Sequence, residues 1–370
     1  MSRTVEPRGI ATVPDVARAA GVSTATAARA LGGYGSVRES TRERVQAAAE
    51  QLGYRPNSLA RSMITGSTST LGVVMSDIEN PFFRRSLRGI ADTARAEGFE
   101  VLLANTDEQL DKEETAVRLM TERRVDGLVV CPADGGDRSH ISDVIAAGIP
   151  VVLLDRRVAG VKADTVGIDN RKAARTATEY LLGRGHRDIA IVTGGTPEML
   201  ERMLRPDMRG IERLSATTVG ARAAGFRDAM AAAGVPIRRD LISSGGYRRE
   251  DAETETARLL SLPNPPTAVF AFDAMQSLGA FHAISRAGVR CPDDISLLGF
   301  DDAEWADVVS PGLTVMAQPT YEIGVAACRL LLSRIEGSGG AVAHRRLPTE
   351  LIERGSVAVR PPHPDAEPAR

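Results

Sequence analysis

Three aspartates follow directly after short apolar runs of the sequence and could hold a ligand. Asp155 comes after VVLL, Asp273 after AVFAF and Asp301 after LLGF. A carboxylate at the end of a strand can accept two hydroxyl hydrogen bonds, which is how proteins commonly hold sugars. Aspartate at such a position also often begins a turn or caps a helix, so each residue alone has a structural alternative. The three together predict a binding site for a hydroxylated small molecule.

A second candidate chemistry lies near the N-terminus, where Gly21 separates two short helical patterns. Two helices around a tight glycine turn form a helix-turn-helix, whose second helix enters the DNA major groove by its N-terminal end. Ser23 would cap that helix. Thr24, Ala25 and Arg29 would then face base edges. Arg29 could bind guanine O6 and N7 as a bidentate fork, a contact that contributes roughly 1–3 kcal/mol of discrimination.

Three amphipathic helices are predicted to bury one another around this turn. The first has a capping start at Thr12, with Pro14 in its opening turn and Asp15 placed to satisfy free backbone N–H groups. A third helix begins at about Thr41. An ordinary three-helix cap with a solvated, arginine-rich face is the alternative that these helices leave open. The expected inner positions recur at helical spacing: Val13, Val16, Ala17, Ala20, Ala27, Ala30, Leu31, Val45, Ala48, Ala49 and Leu52.

The distribution of charge favours nucleic-acid binding by this region. The chain of 370 residues has a formal net charge of −2. Residues 1–64 contain nine arginines and five acidic residues, a charge of +4, which leaves −6 on the rest of the chain. A charge of +4 is too small for tight binding by one copy, so we expect a dimer that places two heads on two half-sites.

From Leu71 onward, short apolar runs alternate with amphipathic helical patterns. Runs of nearly continuous Val, Ile and Leu are typical of strands buried on both faces, and their alternation with helices predicts an α/β fold with parallel sheets. The runs are LGVVM from Leu71, VLLA from Val101, GLVVC from Gly127, VVLLD from Val151, IAIVT from Ile189, AVFAF from Ala268 and ISLLGF from Ile295. The helical patterns cover residues 84–97, 112–123, 171–184, 221–233 and 275–287.

The N-terminal pattern VxDVAxxAGVSxxTxxRxL, followed by TRERVQAAAEQLGYRPNSLARSM, resembles the lac repressor and galactose repressor family of bacterial transcription regulators. The resemblance continues through NPFF, RRVDGLVV, LLDR and GFDD, so it covers nearly the whole chain. It implies a two-lobed, periplasmic-binding-protein-like core with an effector cleft between the lobes. The implied organisation is a helix-turn-helix head over 10–55, a hinge helix over 56–64 and a core over 71–358. The polar run TGSTST is expected to be a linker over 65–70, and the proline-rich end of the sequence predicts a disordered tail over 359–370. The lobes would span about 71–165 plus 318–344, and about 166–317 plus 345–358.

The resemblance also implies DNA contacts in the hinge segment. This segment would become helical on DNA, pair with its twin in a dimer and insert an apolar side chain into the minor groove. Met63 matches the inserted position, where the family usually has leucine, and Asn57 and Ala60 are the expected contacts beside it. In the recognition helix, Gly32 stands where the family usually has asparagine.

For the cleft, the resemblance implies a set of effector contacts. Arg222 would bind a hydroxyl pair or a carboxylate, while Tyr247 and Phe83 would stack on an apolar ring face. Plain core packing remains the alternative for Phe82 and Phe83. Because acidic residues dominate the set, we expect a sugar or sugar derivative rather than a purine. Carried over residue by residue, the contacts fall on Asn80, Phe82, Phe83, Asp155, Arg222, Tyr247, Asp273, Asp301 and Gln318.

Other classes of function find little support in the sequence. No GxSxG, GxxxxGK[ST], GxGxxG or HExxH motif occurs and the five histidines are scattered, so no catalytic residue, metal or cofactor is expected. Three unpaired cysteines, no apolar signal segment and no membrane-length run fit a cytoplasmic protein. The sequence therefore predicts a ligand-responsive transcription regulator of the repressor type that binds a pseudo-palindromic operator as a homodimer. An α/β solute-binding protein or enzyme with a structural helical cap is the alternative.

Overall fold

The chain divides into two compact units, Met1–Thr68 and Ser69–Arg370, each of which is described by itself. The structure is a computed structural model that describes residues 11–32, 34–54, 66–133, 139–158, 160–195, 200, 217–244 and 246–361. No helix in these ranges is both long enough and apolar enough to cross a membrane.

The first unit contains the three predicted helices, α1 (Val13–Ala20), α2 (Thr24–Gly32) and α3 (Glu39–Leu52). The Asp15 carboxylate accepts hydrogen bonds from the backbone N–H of Thr12 at 3.0 Å and from its hydroxyl at 2.6 Å, which fixes the start of α1. The three helices share one small core, as their apolar spacing predicts, and its buried members are Val16, Ala17, Ala20, Ala27, Ala30, Val45, Ala48 and Ala49.

Two glycines set the geometry on either side of α2. Gly21 adopts a φ of 64°, a left-handed conformation that turns the chain from α1 into α2. Beyond it, Arg44 from α3 donates a hydrogen bond to the carbonyl of Ala20 at 2.6 Å. At the other end of α2, a Cβ on Gly32 would overlap the Tyr34 ring. Glycine at position 32 therefore allows the Tyr34 ring to pack against the end of the recognition helix.

The second unit is built on two six-stranded sheets within the described residues. The first has the order β11-β5-β4-β3-β1-β2 and is parallel throughout. Near-continuous apolar sequence buries β3 and β4 on both faces, as predicted for central parallel strands. Its strands are β1 (Thr70–Met75), β2 (Glu100–Asn105), β3 (Gly127–Val130), β4 (Val151–Leu154), β5 (Asp164–Ile168) and β11 (His344–Leu347).

The second sheet repeats the strand order of the first, β12-β10-β9-β8-β6-β7, with only β12 antiparallel to its neighbour. The two lobes predicted for the core are therefore two copies of one arrangement, joined by crossovers. The strands are β6 (Ile189–Thr193), β7 (Ile242–Ser244), β8 (Ala268–Ala271), β9 (Ser296–Phe300), β10 (Thr314–Ala317) and β12 (Glu350–Ile352).

Helices cover the faces of both sheets, and three helix pairs pack especially closely. Where α4 passes α11, a Cβ on Gly324 would lie 2.8 Å from the backbone carbon of Ser86 and 3.1 Å from the nitrogen of Ile90. A Cβ on Gly225 or Gly279 would likewise meet the backbone of the neighbouring helix in the α7–α8 and α9–α10 pairs. The helices are α4 (Pro81–Ala96), α5 (Leu110–Glu122), α6 (Ser139–Ala146), α7 (Asn170–Gly183), α8 (Thr218–Ala232), α9 (Arg249–Leu260), α10 (Ala274–Arg286) and α11 (Thr320–Ile335).

Several expected boundaries need correction. The lobe boundaries at 165 and 344 fall inside β5 and β11, which pair with each other in the first sheet, so the chain crosses between the lobes a few residues later. Residue 70, assigned to the linker, already pairs with Glu100 in β1. The expected tail begins too early, because the N–H of Arg360 donates to the Arg184 carbonyl at 2.7 Å. The expected hinge helix at 56–64 lies outside the described residues. The linker that follows it is described from residue 66.

Candidate functional site

The exposed surface of α2 carries the side chains expected to face DNA. Thr24, Ala25 and Arg29 are all exposed. Ser23 accepts a hydrogen bond from the backbone N–H of Thr26 at 3.1 Å and thereby caps the helix, as its position predicts. The capped N-terminal turn of α2 and the side chain of Arg29 therefore lie on the surface of the first unit. Asn57, Ala60 and Met63 lie outside the described residues.

All nine residues expected to contact an effector line one pocket between the two lobes, here called the interlobe pocket. The cavity between them has a volume of about 40 Å³, well below the roughly 300–1,000 Å³ of a typical small-molecule site. We therefore expect the lobes to move apart when a ligand enters. The pocket is lined by Asn80, Phe82, Phe83, Glu108, Asp155, Arg156, Thr218, Val219, Arg222, Tyr247, Phe272, Asp273, Gln276, Asp301 and Gln318.

One turn conformation presents a carboxylate from each lobe. Asp155 follows β4 and Asp301 follows β9, and their φ angles are 65° and 68°. Few residues other than glycine adopt this left-handed region, and aspartate is among those that do. In each turn the aspartate N–H donates to the neighbouring strand, Asp155 to Val166 at 2.7 Å and Asp301 to Met316 at 3.0 Å. The repeated fold therefore places two carboxylates in equivalent positions.

The third carboxylate belongs to a helix cap. Asp273 lies between β8 and α10, immediately before the first residue of α10. Its Oδ1 accepts a hydrogen bond from the Gln276 N–H at 2.8 Å. Asp273 therefore caps a helix, which is the structural alternative that the sequence leaves open. The same residue also lines the pocket. Gln318 donates from Nε2 to Asp301 Oδ1 at 2.6 Å, which holds that carboxylate in place.

Arg222 interacts electrostatically with all three aspartates of the pocket, but it donates its hydrogen bonds to neutral acceptors. Its Nε donates to Asn170 Oδ1 at 2.8 Å, and its Nη1 donates to the carbonyl of Phe272. The guanidinium carbon lies 3.6 Å from the centroid of the Phe300 ring, within cation–π range. Phe300, a residue that sequence does not assign to the site, therefore packs its ring against the guanidinium of Arg222.

Burial controls the ionisation of the acidic side chains in the pocket. It raises the pKa of Asp273 to about 7, an increase that the nearby charge of Asp301 reinforces and the Gln276 N–H opposes. It raises the pKa of Asp301 to about 6 and that of Asp155 above its ordinary value, with Arg222 opposing both shifts. The pKa of Arg222 itself is lowered by burial, although the surrounding carboxylates act in the opposite direction. The charge of the pocket therefore changes near neutral pH, as Asp301 and Asp273 ionise.

A buried ion pair at the pocket wall was not anticipated. The Arg156 guanidinium contacts both oxygens of Glu108, at 2.5 and 2.7 Å, and donates to the carbonyls of Pro132 and Ala133. Burial alone would lower the pKa of Arg156, but the charge of Glu108 raises it above its ordinary value. Arg156 is part of the LLDR motif, yet only the folded chain brings it to Glu108, which is 48 residues away.

The aromatic residues expected in the cleft also serve the core. Phe82 and Phe83 line the pocket but are each 5% exposed, and their rings pack edge to face with centroids 5.1 Å apart. Phe82 and Phe83 therefore both pack in the core and line the pocket. The Tyr247 ring lines the pocket and lies against Gly194, where a Cβ would overlap it.

Comparisons with known proteins agree with this arrangement. Residues 12–57 match the family described as bacterial regulatory proteins, lacI family, and residues 178–357 match the periplasmic binding protein-like domain. The chain is 32% identical to the HTH-type transcriptional repressor PurR of Vibrio parahaemolyticus serotype O3:K6 (strain RIMD 2210633), over 94% of this chain and 99% of PurR.

Solved structures give the same result. The lac repressor dimer bound to operator and the anti-inducer ONPF is similar with a TM-score of 0.80 and 25% identity, covering 94% of this chain and 99% of that chain. A LacI family transcriptional regulator from Enterococcus faecium with bound ribose has a TM-score of 0.67 and 28% identity, covering 79% and 100%. Because the relatives match from the head through the core, the chain belongs to the lacI family of bacterial regulatory proteins and is a ligand-responsive, DNA-binding transcriptional regulator.

Proposed function

We propose that this regulator is a repressor whose effector is a sugar or sugar derivative bound in the interlobe pocket. The observation that carries this proposal is a set of buried hydrogen-bond acceptors. Asp155 Oδ1, Gln276 Oε1 and Gln318 Oε1 are buried and have no hydrogen-bond partner among the described residues. A buried acceptor without a partner costs about 1–3 kcal/mol, so a ligand that brings several donors is strongly favoured.

A polyhydroxyl ligand meets this requirement better than an apolar one. Each sugar hydroxyl can donate to one of the unpaired oxygens, while an apolar ligand would leave all of them unsatisfied. Tyr247 and Phe83 offer aromatic surface to the apolar face of a sugar ring. The relative from Enterococcus faecium with bound ribose supports the same class of ligand.

The DNA-binding proposal rests on the exposed surface of α2. Arg29 is proposed to read a guanine, with Thr24 and Ala25 beside it and the capped turn at Ser23 close to the phosphates. In the hinge, Met63 is the proposed minor-groove side chain, flanked by Asn57 and Ala60.

The assembly is proposed to be a homodimer on a pseudo-palindromic operator, acting in the cytoplasm where the DNA lies. The charge of +4 on residues 1–64 favours two heads on one operator. The similar lac repressor structure is a dimer bound to operator. An enzyme or an exported solute-binding protein with a helical cap is disfavoured, because the relative that spans the chain is a transcriptional repressor.

Selection of tight binders from random-sequence duplex DNA by the full-length protein tests the whole proposal. The selection is repeated in the presence of a pool of sugars. We expect a palindrome with a deformable central step to be enriched, and the yield of bound DNA to change with the pool. A palindrome whose yield ignores every sugar would contradict the effector assignment, and no enrichment at all would contradict the DNA assignment.

A further inference from the structure

We propose that the effector carries a cationic amino group as well as hydroxyls, as an amino sugar does, and that Asp273 is the carboxylate that receives this group. The inference rests on the proposed sensing function and narrows its class of ligand. It follows from the balance of charge in the interlobe pocket and from the bonds already made by its two arginines.

The interlobe pocket contains more acidic than basic side chains. Its lining includes four carboxylates, Glu108, Asp155, Asp273 and Asp301, but only the two guanidinium groups of Arg156 and Arg222. Lysine and histidine are absent from the described lining. With every group ionised, the site therefore has a formal charge of −2.

The two arginines do not neutralise the three aspartates directly. Arg156 is paired with Glu108 through two short contacts, so this pair contributes no net charge, although the Arg156 Nε is a buried donor without a partner among the described residues. Arg222 directs its bonds to Asn170 and to the Phe272 carbonyl, which are neutral. Within the part of the chain that the structure describes, no ion pair of 4 Å or less reaches Asp155, Asp273 or Asp301. Three carboxylates thus surround one cation that is bonded elsewhere.

A ligand cation would relieve this excess of negative charge. Burying carboxylates without paired cations is costly, and a bound cation repays that cost because it interacts strongly at low dielectric. An ammonium group has three donors and no acceptor. The unpaired acceptors beside it, Asp155 Oδ1, Gln276 Oε1 and Gln318 Oε1, require donors of this kind.

Asp273 is the best-placed carboxylate for the amino group. Its Oδ1 accepts the cap bond from the Gln276 N–H, and the Met275 N–H also interacts with the carboxylate, so the cap of α10 holds this charge at the pocket wall. The Gln276 carboxamide belongs to the first turn of the same helix, so its unpaired Oε1 and the Asp273 carboxylate together can receive two donors of one ammonium group. Asp301, by comparison, is already held by Gln318.

The opposing possibility is a neutral polyol bound to protonated Asp273. The pKa of Asp273, about 7, lies close enough to neutrality for either form to bind a ligand. The two possibilities predict opposite changes of ligand affinity with pH. Affinity for an ammonium ligand rises as the pH increases toward 7 and Asp273 ionises, whereas affinity for a polyol that needs protonated Asp273 falls over the same interval.

The test compares matched ligands on the full-length protein by titration calorimetry. D-glucosamine, D-galactosamine and D-mannosamine are each compared with the parent hexose and with the neutral N-acetyl derivative. We expect at least one amino sugar to bind about tenfold or more tightly than both neutral forms, which corresponds to about 1.4 kcal/mol.

Asp273→Asn is the matched variant, because asparagine caps a helix as well as aspartate and removes only the charge. It should reduce the preference for the amino sugar to less than about threefold, a fall of the size expected for one lost charge pair. Asp169→Asn is the control: it removes one charge from another capping aspartate, one that does not line the interlobe pocket, and the preference should persist.

Two other outcomes overturn the inference and remain distinguishable. If a neutral hexose binds as tightly as its amino counterpart and Asp273→Asn leaves the ratio unchanged, the amino group is refuted while sugar sensing stands. If no neutral or amino sugar binds to the protein, the proposed sensing function fails, and the inference fails with it.

Discussion

At the scale of single residues, Arg29 is the side chain on which operator choice should depend. Replacement with alanine removes the guanidinium fork, so we expect preference for guanine at one position of each half-site to relax by about 1–3 kcal/mol. Binding measured on a set of operators with single base changes checks this. Arg29→Lys is the matched control, because it keeps the charge but not the bidentate geometry. If Arg29→Ala weakens binding to all sequences equally and Arg29→Lys restores most of the affinity, Arg29 contacts phosphate instead.

Asp273 should make the stability of the ligand-free protein depend on pH. Its pKa is raised from 3.8 to about 7 in the folded chain, so between these values the folded protein retains a proton that the unfolded chain has lost. The contribution of Asp273 to the free energy of unfolding is therefore largest at low pH and declines as the pH rises through about 7. Urea unfolding across this interval should show a steeper decline for the natural protein than for Asp273→Asn. Parallel curves for the two proteins would contradict the assignment.

The sequence identified some residues of the interlobe pocket and not others, for a physical reason. Asp155, Asp273 and Asp301 follow apolar runs, so their place at strand ends is visible in the sequence. Glu108 lies in a loop with no such signal, and its meeting with Arg156 depends on how two distant loops approach each other. Gln276 is 1% exposed and lies in the first turn of a helix, where a polar residue predicts exposure. Tertiary packing overrides the local pattern there.

At the scale of elements, the seven apolar runs all form strands, and the five helical patterns all form helices. The strands that were missed lie mostly at sheet edges or carry polar residues. β11 has the sequence HRRL and its first three residues are exposed, so it has no apolar run to detect. α9, with the sequence REDAETETARLL, buries only Ala252, Thr256 and Leu259. Its helical pattern is too weak for recognition from sequence.

The crossing of α4 and α11 gives a prediction about stability. Gly324→Ala would place a Cβ against the backbone of Ser86 and Ile90, and overpacking of this kind costs about 1–3 kcal/mol or more. Urea denaturation should detect the loss. Gly183→Ala at the end of α7 is the control, since a Cβ there meets nothing within 4 Å; it should be neutral or slightly stabilising. Equal stability of the two variants would show that the helices can separate without cost.

The hinge segment has its own prediction. Met63→Ala shortens the side chain proposed to enter the minor groove, so it should weaken operator binding by reducing the kink that the side chain stabilises. Fluorescence anisotropy with labelled operator measures the loss. Met63→Leu, which keeps an apolar side chain of similar size, should retain most of the affinity. Unchanged operator affinity in Met63→Ala would rule out the proposed insertion.

At the scale of the whole molecule, effector and operator must influence each other equally. If the effector changes operator affinity by some factor, the operator must change effector affinity by the same factor, typically 5–150-fold for a coupling of about 1–3 kcal/mol. Calorimetric titration of the effector with and without operator, alongside the reverse experiment, checks this equality. The narrow interlobe pocket is the expected physical link, since a ligand larger than its cavity of about 40 Å³ would change the spacing of the lobes. A ligand that binds without altering operator affinity would not be the effector.

The late return of the chain to the first sheet has a consequence for synthesis on the ribosome. β5 ends at Ile168, but α11, which covers α4, ends only at Ile335, and β11 comes later still. At translation rates of roughly 5–20 residues per second, this interval lasts on the order of 10 to 30 s. Throughout it, Ile90 and Ala94, which are fully buried in the finished protein, remain without their covering helix on the nascent chain. Both lobes are therefore completed only once residues 344–352 have been synthesised, and until then the apolar face of α4 lacks its covering helix.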